Sequence, residues 1–147
     1  MMIIVADAFA DAVEPFAEWK RRTGFRVELV RLSDIGGSPS DNDIKARIQD
    51  AYDTWSDPHL GYVLMVGDTD FTPIHNGDGG SGTQVTDNWY VCLDGSDYLP
   101  DAAIARISTR SVTASTSFCS MNRPPSLSRT GPSGPASSAR ATAATST

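Results

Sequence analysis

The chain has 147 residues, the length of one ordinary domain, with 39% hydrophobic residues and a formal net charge of -6. That is enough apolar material for one core, while the acidic balance excludes nucleic-acid binding as a main role. No apolar run reaches the roughly 18 residues of a membrane span, and the opening lacks the basic region and cleavage site of a signal peptide.

Met2 to Ala6 is a continuous apolar run, as expected of a strand buried on both faces. It begins almost at the first residue, an abruptness from which we expect further sequence upstream. Phe9, Val13, Phe16 and Trp19 then recur every three or four residues, the apolar stripe of a helix. Asp11 and Glu14 lie early and Lys20, Arg21 and Arg22 late, the polarity a helix dipole favours. Pro15 either kinks this helix or marks its first turn, and Gly24 stops it.

Phe25 to Val30 alternates like a strand, and Ser33 to Asn42 is a loop. Ser40 or Asp41 caps a second helix whose buried stripe is Ile44, Ile48, Ala51, Tyr52 and Trp55. Tyr62 to Val66 is another wholly apolar strand, followed at once by Gly67-Asp68-Thr69-Asp70. The βαβαβ order predicts an α/β fold with parallel strands and right-handed crossovers. Residues 71–86 read as a Gly-rich loop, Trp89 to Leu93 as a short strand or hairpin arm, and Ala102 to Ile107 as a fourth core strand. Trp19, Trp55 and Trp89 read as core or core-edge residues.

The charge is unevenly spread. All 18 acids lie at or before Asp101, so residues 1–101 carry -11 against +5 for the remainder. Beyond Thr113, Ser, Thr, Ala, Pro, Gly and Arg dominate and no periodic apolar face survives. We therefore divide the chain into a domain, 1–113, and a low-complexity tail, 114–147, expected to be disordered. A shifted reading frame is the reading we favour for that tail; a natural flexible linker is the alternative.

Several side chains are candidates for chemistry. Asp87, Asp94, Asp97 and Asp101 are the best metal ligands, since calcium takes several hard oxygens on a bendable loop and Gly95 permits a sharp turn; solvated loop carboxylates are the equal alternative. Asp7, Asp68 and Asp70 follow strands and would suit a magnesium-dependent phosphoryl enzyme, though turn and cap chemistry accounts for them more simply. Gly77 to Gly82 is a weak phosphate-loop signal, because it neither follows a strand directly nor opens a clear helix. Cys92 and His75 are set against a catalytic pair and read as a buried thiol and a surface histidine. Cys92 and Cys119 form no metal spacing, and a disulfide between them has no support.

Four stretches in order resemble the gingipain family of cysteine peptidases. Phe16-Ala17-Glu18-Trp19-Lys20-Arg21-Arg22-Thr23-Gly24-Phe25 is similar to its "W-K-x-x-x-G" entry, and Asp43 to Gln49 follows. Tyr62 to Pro73 looks like "YLLLVGDxxxIP", and Thr86 to Ile107 like "TDxxYxxLDGDxxPDxxIGR". The resemblance covers about residues 1–113. It implies the first half of a caspase-like fold, a protein or peptide substrate, an extracellular or cell-surface location and a structural calcium. It also implies a His-Cys dyad, with the histidine before glycine. Neither His59 nor His75 precedes glycine, and Cys92 lies outside the nucleophile's place. The expected function is a truncated gingipain-like endopeptidase, inactive alone and aggregation-prone. The alternative is a non-catalytic, calcium-binding α/β interaction module.

Overall fold

The computed structural model describes residues 1–77, 84–113 and 117. Apart from residue 117, the expected tail, Cys119 within it, and residues 78–82 of the glycine-rich stretch lie outside the described residues.

Strand β1 (Met2–Val5) is the centre of the molecule, and all four of its residues are fully buried. Strand β2 (Glu28–Arg31) pairs parallel on one side of it, and β3 (Tyr62–Val66) pairs parallel on the other. A fourth parallel strand, which closes the far side of β3, is Ala103–Ile107. The sheet therefore reverses its direction of growth at β1. Right-handed crossovers on the two sides of that reversal carry their helices to opposite faces, which is why β1 and β3 need apolar residues at every position. The α/β expectation holds, and the strand expected over Ala102 to Ile107 forms over Ala103–Ile107.

Helix α1 (Ala10–Arg22) follows a short 3-10 turn over Asp7–Phe9. It buries Ala10, Val13, Phe16 and Ala17. Pro15 lies inside it on the solvent face, where the carbonyl that its missing N–H leaves free is open to solvation. Strand β2 starts later than its alternation suggested and runs into a one-turn helix, α2 (Leu32–Ile35), in the segment read as loop. Helix α3 (Asp41–Thr54) begins at Ser40, whose hydroxyl accepts from the Asp43 N–H at 3.3 Å while the Asp43 carboxylate accepts from the Ser40 N–H at 2.8 Å. Ile44, Ile48, Ala51 and Trp55 of its predicted stripe are buried.

Two expectations change. Residues 71–86 are not all loop: β4 (His75–Gly77) and β5 (Gln84–Thr86) form an antiparallel hairpin. The segment Trp89 to Leu93 is not a strand. Asn88–Val91 forms a 3-10 turn that buries Tyr90 and Val91 against α3 and the final strand, β6 (Ala103–Ile107). Its apolar run fills a gap over the sheet instead of extending it; periodicity alone does not separate the two in so short a stretch.

The exit of β3 depends on Gly67. Its φ of +136° is foreign to L side chains, and an added Cβ would sit 2.6 Å from Oγ1 of Thr72, a fully buried hydroxyl. Replacement by alanine incurs both backbone strain and a clash. We expect Gly67→Ala to cost about 2 kcal/mol or more, read as a lowered urea midpoint at unchanged slope; an unchanged midpoint would show that the turn relaxes freely.

Candidate functional site

The carboxyl ends of the four parallel strands gather most of the polar chemistry. At their centre is Arg106 on β6, whose side chain is 7% exposed. Its Nε and Nη2 donate to the two carboxylate oxygens of Asp87 at 2.8 and 2.6 Å. Nη1 donates to the Gly67 and Thr72 carbonyls at 3.1 and 2.9 Å, and Nη2 also reaches the Pro73 carbonyl at 3.1 Å. One guanidinium thus ties β6, the β3 exit and the start of the Asn88 turn. Asp87, expected as a metal ligand, is the counter-ion of this buried cation. Sequence reading missed Arg106; the signal was a lone arginine inside an apolar strand, which obliges a nearby acid.

Of the other three metal candidates, Asp101 and Asp97 are engaged separately and Asp94 is exposed. Asp101 Oδ2 accepts the backbone N–H groups of Leu93 at 2.7 Å and Asp94 at 2.9 Å, and these bonds hold its carboxyl below the usual carboxylate range. Asp97 Oδ1 accepts from the Leu99 N–H at 3.0 Å. Gly95 does supply the sharp turn, at φ +71°. Among the described residues, however, no three His, Cys, Asp or Glu side chains converge closely enough to hold a metal ion. Asp87, Asp94, Asp97 and Asp101 are therefore not gathered into one cluster in this structure.

Asp7 and Asp70 line a cleft of about 440 Å³ beyond the ends of β1 and β3, with Leu32, Pro39 and Phe71 on its walls, and Asp68 lies outside its lining. This is the reversal point of the sheet, where α/β folds place ligands. The carboxylates are already partnered. Asp7 accepts the hydroxyl and the N–H of Ser33, and Arg110 spans Asp68 at 2.5 Å and Asp70 at 3.1 Å. Gly77 ends β4, and the rest of the phosphate-loop pattern, residues 78–82, lies outside the described residues.

His75 and Cys92 each have another partner. His75 Nδ1 is 2.7 Å from the Asp41 carboxylate, and its ring stacks on Trp89 with centroids 3.7 Å apart. Lys45 Nζ lies 4.2 Å from the same indole centroid and donates to the Trp89 carbonyl at 2.9 Å. Cys92 donates to the Asn88 carbonyl at 3.4 Å, and burial pushes its thiol above the ordinary value, the reverse of an activated nucleophile. Trp55 is a core residue, while Trp19 and Trp89 are partly buried at its edge.

Residues 1–120 match the model of peptidase family C25. Gingipain R2 of Porphyromonas gingivalis is 30% identical over 111 residues, an overlap covering 76% of this chain and 14% of that relative. The solved complex of the pro- and mature domains of RgpB from the same organism aligns at a TM-score of 0.73 with 27% identity, over 81% of this chain and 27% of that one. The crystal structure of the Arg-specific cysteine proteinase gingipain R aligns at 0.72 with 26% identity and the same coverages. The chain thus spans about a seventh of the curated relative and about a quarter of these solved chains.

Two outcomes follow from this geometry. Replacing Arg106 by leucine strands Asp87 and three carbonyls, and should cost about 3–5 kcal/mol, measured by chemical denaturation; a change within error would show that water replaces the guanidinium. Asp41, whose carboxyl the His75 hydrogen bond lowers most, stabilises the fold above the ordinary aspartate range. That contribution fades as pH falls from there through the lowered folded value. Asp41→Asn should therefore flatten the acid limb of the stability–pH curve, and an unchanged slope would remove the pair from the account.

Proposed function

This chain belongs to peptidase family C25, and from that premise we propose that it supplies the amino-terminal sheet unit of a cysteine endopeptidase without hydrolysing peptides itself. Peptide hydrolysis by a cysteine enzyme needs a thiolate to attack the carbonyl and a histidine to shuttle the proton to the leaving amine. The observation that carries the reading is the separate commitment of the two residues that would have to improvise this pair. His75 is oriented by Asp41 and stacked on Trp89, whereas Cys92 bonds to a backbone carbonyl and is held as the neutral thiol. In this reading the nucleophile and acid come from other residues of the complete peptidase, and residues 1–113 supply the sheet and its polar carboxyl edge. A protein substrate and an extracellular location accompany the family reading. Among the described residues, no helix is long and apolar enough to cross a membrane.

The alternative is a non-catalytic interaction module, favoured by the loop Asp94–Asp101. Tyr98 is 87% and Leu99 68% exposed at its tip, between Asp97 and Asp101. Its calcium-dependent form needs Asp94 and Asp97 to reorganise around the ion. A saturable calcium isotherm lost on Asp94→Ala would favour it, and a flat isotherm would dismiss the calcium.

For the leading reading, the purified chain should show no turnover across a panel of fluorogenic peptides covering basic, acidic and apolar residues before the scissile bond. Turnover that disappears in Cys92→Ala would defeat it.

A further inference from the structure

The two outer edges of the parallel sheet are built differently. On β2, Glu28 pairs with Arg47 and Arg31 pairs with Asp11, so charge flanks the edge. The Arg31 N–H is also capped by the Asp34 carboxylate at 3.0 Å. These are the devices that blunt a strand against further pairing. Among the described residues, the edge of β6 has none of them.

Register fixes which β6 groups are free. The Ala103 N–H donates to Gly61 at 3.0 Å, and the Ile107 carbonyl accepts from the Gly67 N–H at 3.1 Å. Residues 103, 105 and 107 therefore turn their backbone groups toward β3, and Ile104 and Arg106 turn theirs outward. No backbone or side-chain hydrogen bond to those outward groups is made among the described residues. The Arg106 side chain is folded back onto Asp87 and sets no charge across the edge. Ala103 and Ala105 are exposed.

We propose that β6 pairs antiparallel with β6 of a second copy of this chain, about a two-fold axis at Ala105, to give one continuous eight-stranded sheet. The sequence is self-complementary in that register. Ile104 faces Arg106 of the second copy and exchanges both N–H···O bonds with it, and the symmetric pair does the same, giving four new ladder bonds. Ala105 then meets its own copy at a non-hydrogen-bonded position, where Cα atoms approach to about 4.5 Å and small side chains fit best. Ala103 lies opposite Ile107, an apolar pair. The two-fold closes the contact, so the product is a dimer. This association is independent of any peptide hydrolysis.

The test is sedimentation velocity of the full chain over a wide concentration range, beside Ala105→Glu and Ala105→Lys. Circular dichroism verifies that each variant is folded. The wild type should associate reversibly to a dimer. Each variant should associate at least about tenfold more weakly, because two like charges meet at the axis, and an equimolar mixture of the two should recover a heterodimer. Amide exchange on the wild type gives an independent reading, with the Ile104 and Arg106 N–H groups slowing as the dimer fills. A wild type that stays monomeric overturns the proposal. So does association indifferent to both charges, or a dimer in which those two amides still exchange freely.

Discussion

Everything at the carboxyl edge of this sheet is arranged around a single buried cation. Arg106 is carried into the interior by β6, where an unpaired guanidinium would be too costly to keep. Asp87 and three main-chain carbonyls meet it. Two of those carbonyls, from Thr72 and Pro73, belong to the segment after β3, so the cation shapes that loop as much as it neutralises an acid. Tyr90 strengthens the same join by donating to the Pro73 carbonyl at 2.8 Å. A pair of this kind holds strands and loops in one arrangement, and its members are unavailable for other work.

That commitment explains why an edge so rich in polar groups carries so little reactive chemistry. Acids follow the strand ends and sit in the loops between them, and five of those described are already answered: Asp7 by Ser33, Asp68 and Asp70 by Arg110, Asp87 by Arg106 and Asp101 by two amides. The thiol of Cys92 is raised and the imidazole of His75 is stacked. Groups poised for catalysis are arranged with one vacant partner; here the partners are filled. For a member of peptidase family C25 that spans about a quarter of the solved chains it matches, these filled partners are what supports the proposed reading of a supporting unit.

The sheet also shows where such a unit is unfinished. Parallel sheets are normally covered on both faces and closed or blunted at their edges. The β2 edge meets that standard through two ion pairs and a capped amide. The β6 edge presents alanines and outward backbone groups. The difference between the edges is a physical one, set by which backbone groups and charges face outward among the described residues.

The residues themselves determined the central architecture. Two fully apolar runs, Met2 to Ala6 and Tyr62 to Val66, with a 3.6-residue stripe between and a capped helix before the second, leave a parallel α/β sheet as the economical way to bury them. The Ser40 cap and the stripe from Ile44 to Trp55 were legible for the same reason: they depend on neighbours within one or two turns. The hairpin at His75 and the 3-10 turn at Asn88 were not legible, because each exists to fill space against α3 and β6 and its sequence is too short to carry a period. The carboxylates were the least legible of all. Asp87 and Asp94 look alike in a loop, yet one is the counter-ion of a buried arginine 19 residues away and the other is exposed. Which acid meets which cation is a long-range choice set by strand register, and only the tertiary structure makes it.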